Sequence, residues 1–259
     1  MRDDYDLGIL GTGEIGAAIV TGLCEGIDTP ASILVSPRNA VRAADLAARY
    51  PTVDVAPDNQ SLADRCWAVV LSVRPADGPA VLGGLRFRPD QEIVSVMAGV
   101  SHAQLAPLVA PATEIARAIP LPPVSRRNGL TAVYPATAGA RELFGRLGGA
   151  MEVAEEGAFE AMSAATGTVA AHLRYLSVIS GWLSEQGVAP DAAALYVRRI
   201  FAGLADDLAG SPADLDALTR AHATPGGINE RFSAMLERDG VFRAVGLSLQ
   251  DIYEGLYAG

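Results

Sequence analysis

The sequence predicts an α/β domain followed by an all-helical one, and three observations carry that prediction. In the first half, short apolar runs alternate with helix-like segments, as layered α/β domains require. Residues 7–16, Leu-Gly-Ile-Leu-Gly-Thr-Gly-Glu-Ile-Gly, set an apolar run before a glycine turn, and a small, apolar, helical stretch follows. Beyond about residue 155 no strand pattern is clear, and Ala, Leu and Val recur on more than one helical face. The domains are expected at 1–154 and 155–259.

The elements follow in order. Strands are expected at 7–11, 32–35, 67–73, 92–96, 114–118 and 130–134, and helices at 14–24, 38–49, 77–84 and 101–109. Trp67-Ala68-Val69-Val70-Leu71-Ser72-Val73 is nearly unbroken in its apolar character, the pattern of a strand covered on both faces. Pro75 then stops the pairing. Residues 158–186 form a long helical pattern with interruptions at Gly167 and Gly181, and a second helix runs from Pro190-Asp191 to about Leu208. Ser211-Pro212 and Thr224-Pro225 each read as an N-cap followed by Pro at the first helical position. Asp239-Gly240 marks a turn, and a last helix reaches about Tyr257. Helices apolar all round must be buried, and so few of them cannot bury one another. The helical half is therefore expected to form a homodimer, with Tyr175, Tyr196 and His172 in its core or interface; a self-contained helical subdomain is the competing reading.

Composition narrows the function. The net charge of −10 disfavours a general nucleic-acid binder. No apolar run is long enough to span a bilayer. The start of the chain carries Asp3, Asp4 and Asp6 where a signal peptide needs basic residues. Cys24 and Cys66 suggest reduced, buried thiols, so the expected compartment is the cytoplasm. All 20 basic residues are Arg, which excludes Schiff-base chemistry on a lysine and a Walker A loop. His102, His172 and His222 are scattered and do not have metal-site spacing.

Gly11, Gly13 and Gly16 have the G-x-G-x-x-G spacing of a Rossmann-type dinucleotide site, in the strand, turn and helix context that the motif needs. The first glycine allows the turn, the second lets a pyrophosphate approach, and the third lets helix and strand pack. An NAD site usually has an acid at the end of the second strand to hold the ribose 2′-hydroxyl. Here that end reads Ser36-Pro37-Arg38-Asn39, with Arg42 one turn later. A guanidinium suits a 2′-phosphate, so NADP is favoured over NAD. Arg38 as a solvated surface charge is the competing reading. Arg117, at a strand end, suits a cofactor phosphate and an acidic partner equally, and Arg126-Arg127 reads as a solvated loop.

The whole chain resembles the pyrroline-5-carboxylate reductases. Val73-Arg74-Pro75 stands where that family has Val-Lys-Pro, and Ser95-Val96-Met97-Ala98-Gly99-Val100-Ser101 is similar to its S-x-x-A-G-[IV]-S. Arg117-Ala118-Ile119-Pro120-Leu121-Pro122-Pro123 resembles R-x-M-P-N-T-P, and Gly129-Leu130-Thr131-Ala132-Val133-Tyr134 resembles the G-[MV]-T strand. Thr224-Pro225-Gly226-Gly227 matches the start of S-P-G-G-T-T. The resemblance implies a Rossmann domain followed by an interleaved helical dimerisation domain. It also implies hydride transfer from NAD(P)H to the carbon of a cyclic C=N bond, giving proline. The cofactor set it implies, together with the glycine motif, is Gly11, Thr12, Gly13, Glu14, Ile15, Gly16, Ser36, Arg38, Asn39, Val73, Arg74, Pro75, Ala98 and Gly99.

The departures fall elsewhere. Leu121-Pro122 replaces Asn-Thr, residues 164–170 keep little of S-G-S-G-P-A-Y, and Ile228-Asn229-Glu230 follows Pro-Gly-Gly in place of Thr-Thr. A pocket built for one set of hydrogen bonds rejects ligands that lack them. The resemblance therefore implies a retained cofactor site and a rewritten substrate site. Asn229, Glu230 and Thr166 are the candidate catalytic groups, and Thr168, Thr224, Gly226 and Gly227 the candidate substrate-binding groups. Glu230 reads equally as an acid in a helix's first turn, where carboxylates are favourable anyway. Two other classes stay open. A hydroxyacid dehydrogenase on a similar scaffold would depend on a helix-borne Lys that is absent here, and a non-catalytic NADP-binding dimer would explain the lost polar residues.

Overall fold

The computed structural model describes residues 4–210 and 214–257; the Ser211-Pro212 cap lies outside them. The described chain divides into two compact units, Met1–Ser163 with Leu256–Gly259, and Ala164–Gly255.

The first unit contains β1 (Tyr5–Leu10), α1 (Glu14–Cys24), β2 (Ile33–Val35), α2 (Ala40–Arg49), β3 (Val53–Val55), α3 (Asn59–Arg65), β4 (Cys66–Leu71), α4 (Gly78–Leu82), β5 (Glu92–Ser95), α5 (His102–Val109), β6 (Glu114–Ile119), β7 (Thr131–Tyr134), α6 (Ala138–Gly145), β8 (Ala150–Glu152) and the start of α7 (Glu156–Thr166). The strands form one sheet in the order β3-β2-β1-β4-β5-β6-β7-β8. The pairing is parallel throughout except between β6 and β7. Chain order runs outward from β1 to β3, then returns to β4 on the other side of β1. Such a reversal makes a crevice at the carboxyl ends of the strands.

Each face of the sheet has its own core. Ile19 and Leu23 of α1, Leu46 of α2 and Phe144 of α6 pack with Ile9, Ile33 and Val70. Leu62 of α3, Leu82 of α4 and Leu105 of α5 pack with Leu34, Leu71 and Ile93. Alternate residues of one strand thus serve opposite cores, which explains why these strands read as continuous apolar runs. The sequence reading missed β3, α3, α6 and β8. The two strands have three residues each, too short to show a periodicity. Cys24 and Cys66 are buried and form no disulfide.

The second unit holds the end of α7, then α8 (Thr168–Glu185), α9 (Pro190–Gly210), α10 (Leu215–His222), α11 (Ile228–Arg238) and most of α12 (Val241–Tyr257). Gly167 separates α7 from α8 as expected, whereas Gly181 leaves α8 intact. Thr224-Pro225 does not start a helix. Residues 224–227 form a turn closed by the Gly227 N–H on the Thr224 carbonyl (2.8 Å), with Gly226 at φ +72°. Pro followed by Gly at positive φ is the type II turn signature, and it delays α11 to Ile228. Among the described residues of this unit, the buried hydrophobic residues are Ala164, Ala193 and Val197. Among the described residues no helix is long and apolar enough to cross a membrane.

Candidate cofactor and substrate sites

β1, β2, β4 and β5 run parallel, so Leu10, Val35, Leu71 and Ser95 end at one edge of the sheet. The loops at that edge and the first turn of α1 carry the residues assigned to the cofactor. Gly11 has φ +107°, a conformation that disfavours any side chain. A Cβ there would also collide with the Ser72 carbonyl at the end of β4, and one on Gly16 would collide with the Gly11 carbonyl. These two glycines let β4 and α1 close onto the turn. Gly13 differs, because it has φ −70° and a Cβ there would meet only the Ser72 carbonyl oxygen at 3.9 Å.

Helix α1 has no side-chain cap at Gly13. Its first-turn N–H groups are therefore available to an anion, with the helix dipole behind them. Thr12 is buried and its hydroxyl oxygen has no hydrogen-bond partner. An orphaned hydroxyl beside an uncapped helix start fits the diphosphate of a dinucleotide. Glu14 is exposed at the first position of α1, and Ile15 packs against the core.

Ser36 is buried, and its Oγ accepts the Gly11 N–H at 2.8 Å. Asn39 caps α2 by accepting the Arg42 N–H at 3.3 Å, and its amide donates to the Thr12 carbonyl at 3.4 Å. Both side chains fasten the second strand's end to the glycine turn. Arg38 is exposed and donates from Nη1 to Asp77 at 3.1 Å. Arg74, held between Val73 and Pro75 after β4, donates to the same carboxylate at 3.0 Å from Nε and 3.3 Å from Nη2. The Arg74 hydrogen bonds, with help from Arg38, hold the Asp77 carboxyl below its ordinary value of 3.8. Asp77 escapes a sequence reading because 39 residues separate it from Arg38. Ala98 is exposed and Gly99 has φ +73°, on the loop between β5 and the Ser101 cap of α5.

Arg117 turns out to bind acids. Its guanidinium pairs with Glu156 at 2.7 Å and Glu160 at 2.5 Å, and it lies over the Phe159 ring. Arg127 corrects the solvated-loop reading. It donates to the Gly22 and Glu25 carbonyls (3.1 and 2.8 Å), closing the carboxyl end of α1.

The candidate substrate groups lie in the second unit, on two stretches of chain. Thr166 ends α7, and Thr168 begins α8, where its hydroxyl donates to the Ala165 carbonyl at 2.7 Å. Thr224, Gly226 and Gly227 make the turn before α11. Glu230 accepts the Gly226 N–H at 2.7 Å, and Asn229 donates to the His222 carbonyl at 2.9 Å. Both side chains thus brace the turn. His172 joins Tyr175 and Phe201 in an aromatic cluster, with centroids 6.3 and 5.7 Å from its own.

Comparisons with known proteins bear on the family. Residues 6–99 match the family model described as NADP oxidoreductase, coenzyme F420-dependent. The pyrroline-5-carboxylate reductase of Synechocystis is 30% identical, and the alignment covers 92% of each chain. The structure of a pyrroline-5-carboxylate reductase from Coxiella burnetii superposes with a TM-score of 0.84 at 20% identity, over 99% of this chain and 98% of that one. That of Plasmodium falciparum pyrroline carboxylate reductase with NADP bound gives 0.80 at 18% identity, over 100% and 99%. On the strength of the full-length match to the Synechocystis enzyme, this chain belongs to the pyrroline-5-carboxylate reductase family.

Proposed function

We infer that this chain is an NADPH-dependent reductase of the C=N bond in a small cyclic imine. The observation that carries the reading is the uncapped start of α1 on the 11–16 turn, with the orphaned Thr12 hydroxyl beside it. When bound, the nucleotide supplies the hydride. The protein's part is to hold and orient. The 11–16 turn would hold the diphosphate, and Arg38 and Arg74 would supply the positive charge for the 2′-phosphate. The loop carrying Ala98 and Gly99 would help hold the cofactor.

Thr166, Asn229 and Glu230 are assigned to the imine nitrogen. Thr168, Thr224 and the backbone of Gly226 and Gly227 are assigned to a substrate carboxylate. A protonated imine is already electrophilic, so these groups need only orient it and exclude water. Because Ile228 and Asn229 stand where the family has Thr-Thr, the preferred imine need not be pyrroline-5-carboxylate.

The active assembly is a homodimer built on the helical unit. Leu173, Trp182, Tyr196, Ile200 and Ile228 are 62, 57, 62, 49 and 81% exposed, more apolar surface than a stable monomer presents. A groove of about 530 Å³ along α8 and α9, lined by Leu173, Leu176, Ala194 and Val197, offers a seat for a partner helix. Two buried cysteines that form no disulfide support a reducing compartment, and we place the activity in the cytoplasm.

A second reading, an NADP-binding dimer without catalysis, draws on one observation: Asn229 and Glu230 are engaged within their own turn. NADPH oxidation with pyrroline-5-carboxylate and a panel of other cyclic imines separates the two. Turnover of any imine supports the reductase. Tight NADPH binding with no turnover across the panel favours the binding protein.

A further inference from the structure

The loop that ends β2 lacks the acidic residue with which NAD sites hold a ribose hydroxyl. The fold supplies one from elsewhere. Asp77 belongs to the short 3-10 turn Pro75–Asp77 after β4, and β4 and β2 flank β1 in the sheet. Its carboxylate reaches Arg38, at the end of β2, at 3.1 Å, and Arg74 at 3.0 Å. One acid therefore stands between the two guanidinium groups assigned above to a 2′-phosphate.

The three side chains differ in freedom. Arg38 and Arg74 are 63 and 78% exposed and sit on long stems, while Asp77 is 25% exposed on a short stem behind a proline. Exposed ion pairs of this kind contribute little, so the arginines can exchange Asp77 for another anion cheaply. Asp77 itself has little room to leave. A bound 2′-phosphate would meet both arginines and, beside them, a fixed like charge. A bound 2′-hydroxyl would meet a carboxylate that accepts it.

We propose that Asp77 is the residue that sets this protein's preference between NADPH and NADH. It acts as the acceptor for an unphosphorylated ribose and as a penalty on the phosphorylated one. This rests on the dinucleotide reading of the site.

The test is direct binding, by fluorescence titration of NADPH and of NADH, on the wild-type protein and on Asp77→Asn, Asp77→Ser and Arg38→Ala. In Asp77→Asn the ratio of NADPH to NADH affinity should rise about tenfold, with NADH weakened and NADPH tightened. Asp77→Ser, which is smaller and also uncharged, should move the ratio in the same direction and stands in if the first variant folds poorly. Arg38→Ala should move it the opposite way. A ratio unchanged within about twofold in both Asp77 variants, with wild-type binding intact, overturns the assignment of Asp77 and leaves the dinucleotide site standing. Failure of the wild-type protein to bind either nucleotide overturns the site itself, and the assignment with it.

Discussion

Arg117 and Glu160 form a buried ion pair, Nη2 to Oε1 at 2.5 Å, with side chains only 2 and 5% exposed. Arg117 sits in β6, and Glu156 and Glu160 are one helical turn apart on α7, so one guanidinium fixes the start of that helix to the sheet. The division between the two units falls after this anchor, within α7. Removing Arg117 leaves Glu160 charged, buried and without its counter-ion. Arg117→Met should cost about 3–5 kcal/mol. Replacing both with apolar groups, as in Arg117→Met with Glu160→Leu, should recover most of that loss. Urea midpoints of the single and double variants measure it, and a single-variant loss under about 1 kcal/mol would show that the pair does not anchor α7.

The three motif glycines should separate on substitution. Gly11→Ala forces a side chain into positive φ and against the Ser72 carbonyl, and Gly16→Ala collides with the Gly11 carbonyl, so both should lower the melting temperature. Gly13→Ala has room and an ordinary backbone, so it should melt close to the wild type. Its methyl group would occupy space the diphosphate needs, and NADPH affinity should fall by about tenfold or more. Calorimetry beside a nucleotide titration tests this. A stable Gly13→Ala that binds NADPH normally would argue against the turn as the diphosphate site.

How much of this was readable depends on the range of each interaction. The glycine turn is local, so residues 7–16 reveal strand, turn and helix together. The doubly wound sheet follows from the apolar runs that feed both cores. Arg38 is readable as a cation at a strand end, but the carboxylate it meets is brought there by the crossover between β3 and β4. Arg127 misleads for the same reason. It lies in a polar loop by sequence, yet it caps a helix 102 residues earlier in the chain. Glu230 is the converse case. Its place in a first helical turn is visible, and its bond to Gly226 is what that place permits.

The fold should loosen on the alkaline side. Burial raises the Cys24 thiol above its ordinary 9.0, and burial raises the Tyr5 and Tyr50 hydroxyls above 10.0, helped by bonds to Asp54 and Glu25. A group whose pKa is raised on folding stabilises the native state fully below its unfolded pKa. That contribution drains away as pH climbs through the folded value. Stability should therefore hold near neutrality and decline from about pH 9 upward. Tyr50→Phe, which removes the hydroxyl that donates to Glu25, should flatten the decline. Thermal melts between pH 7 and 10.5 check it, and a flat profile in the wild type would contradict it.

The helical unit supplies the last test. Its helices α8, α10 and α11 bury no residue, which no isolated bundle sustains. If a second copy covers them, an acid on that face must be desolvated within the interface. Leu173→Asp places a carboxylate beside the groove of α8 and α9, at a position 62% exposed in the single chain. The folding of the first unit does not depend on that position, whose core lies on the two faces of its own sheet. Sedimentation velocity should show a dimer for the wild type and a monomer for Leu173→Asp. The wild-type melting temperature should rise with protein concentration, as it does whenever association stabilises the folded state. A wild-type monomer at all concentrations would remove the homodimer and leave the exposed face for a different partner.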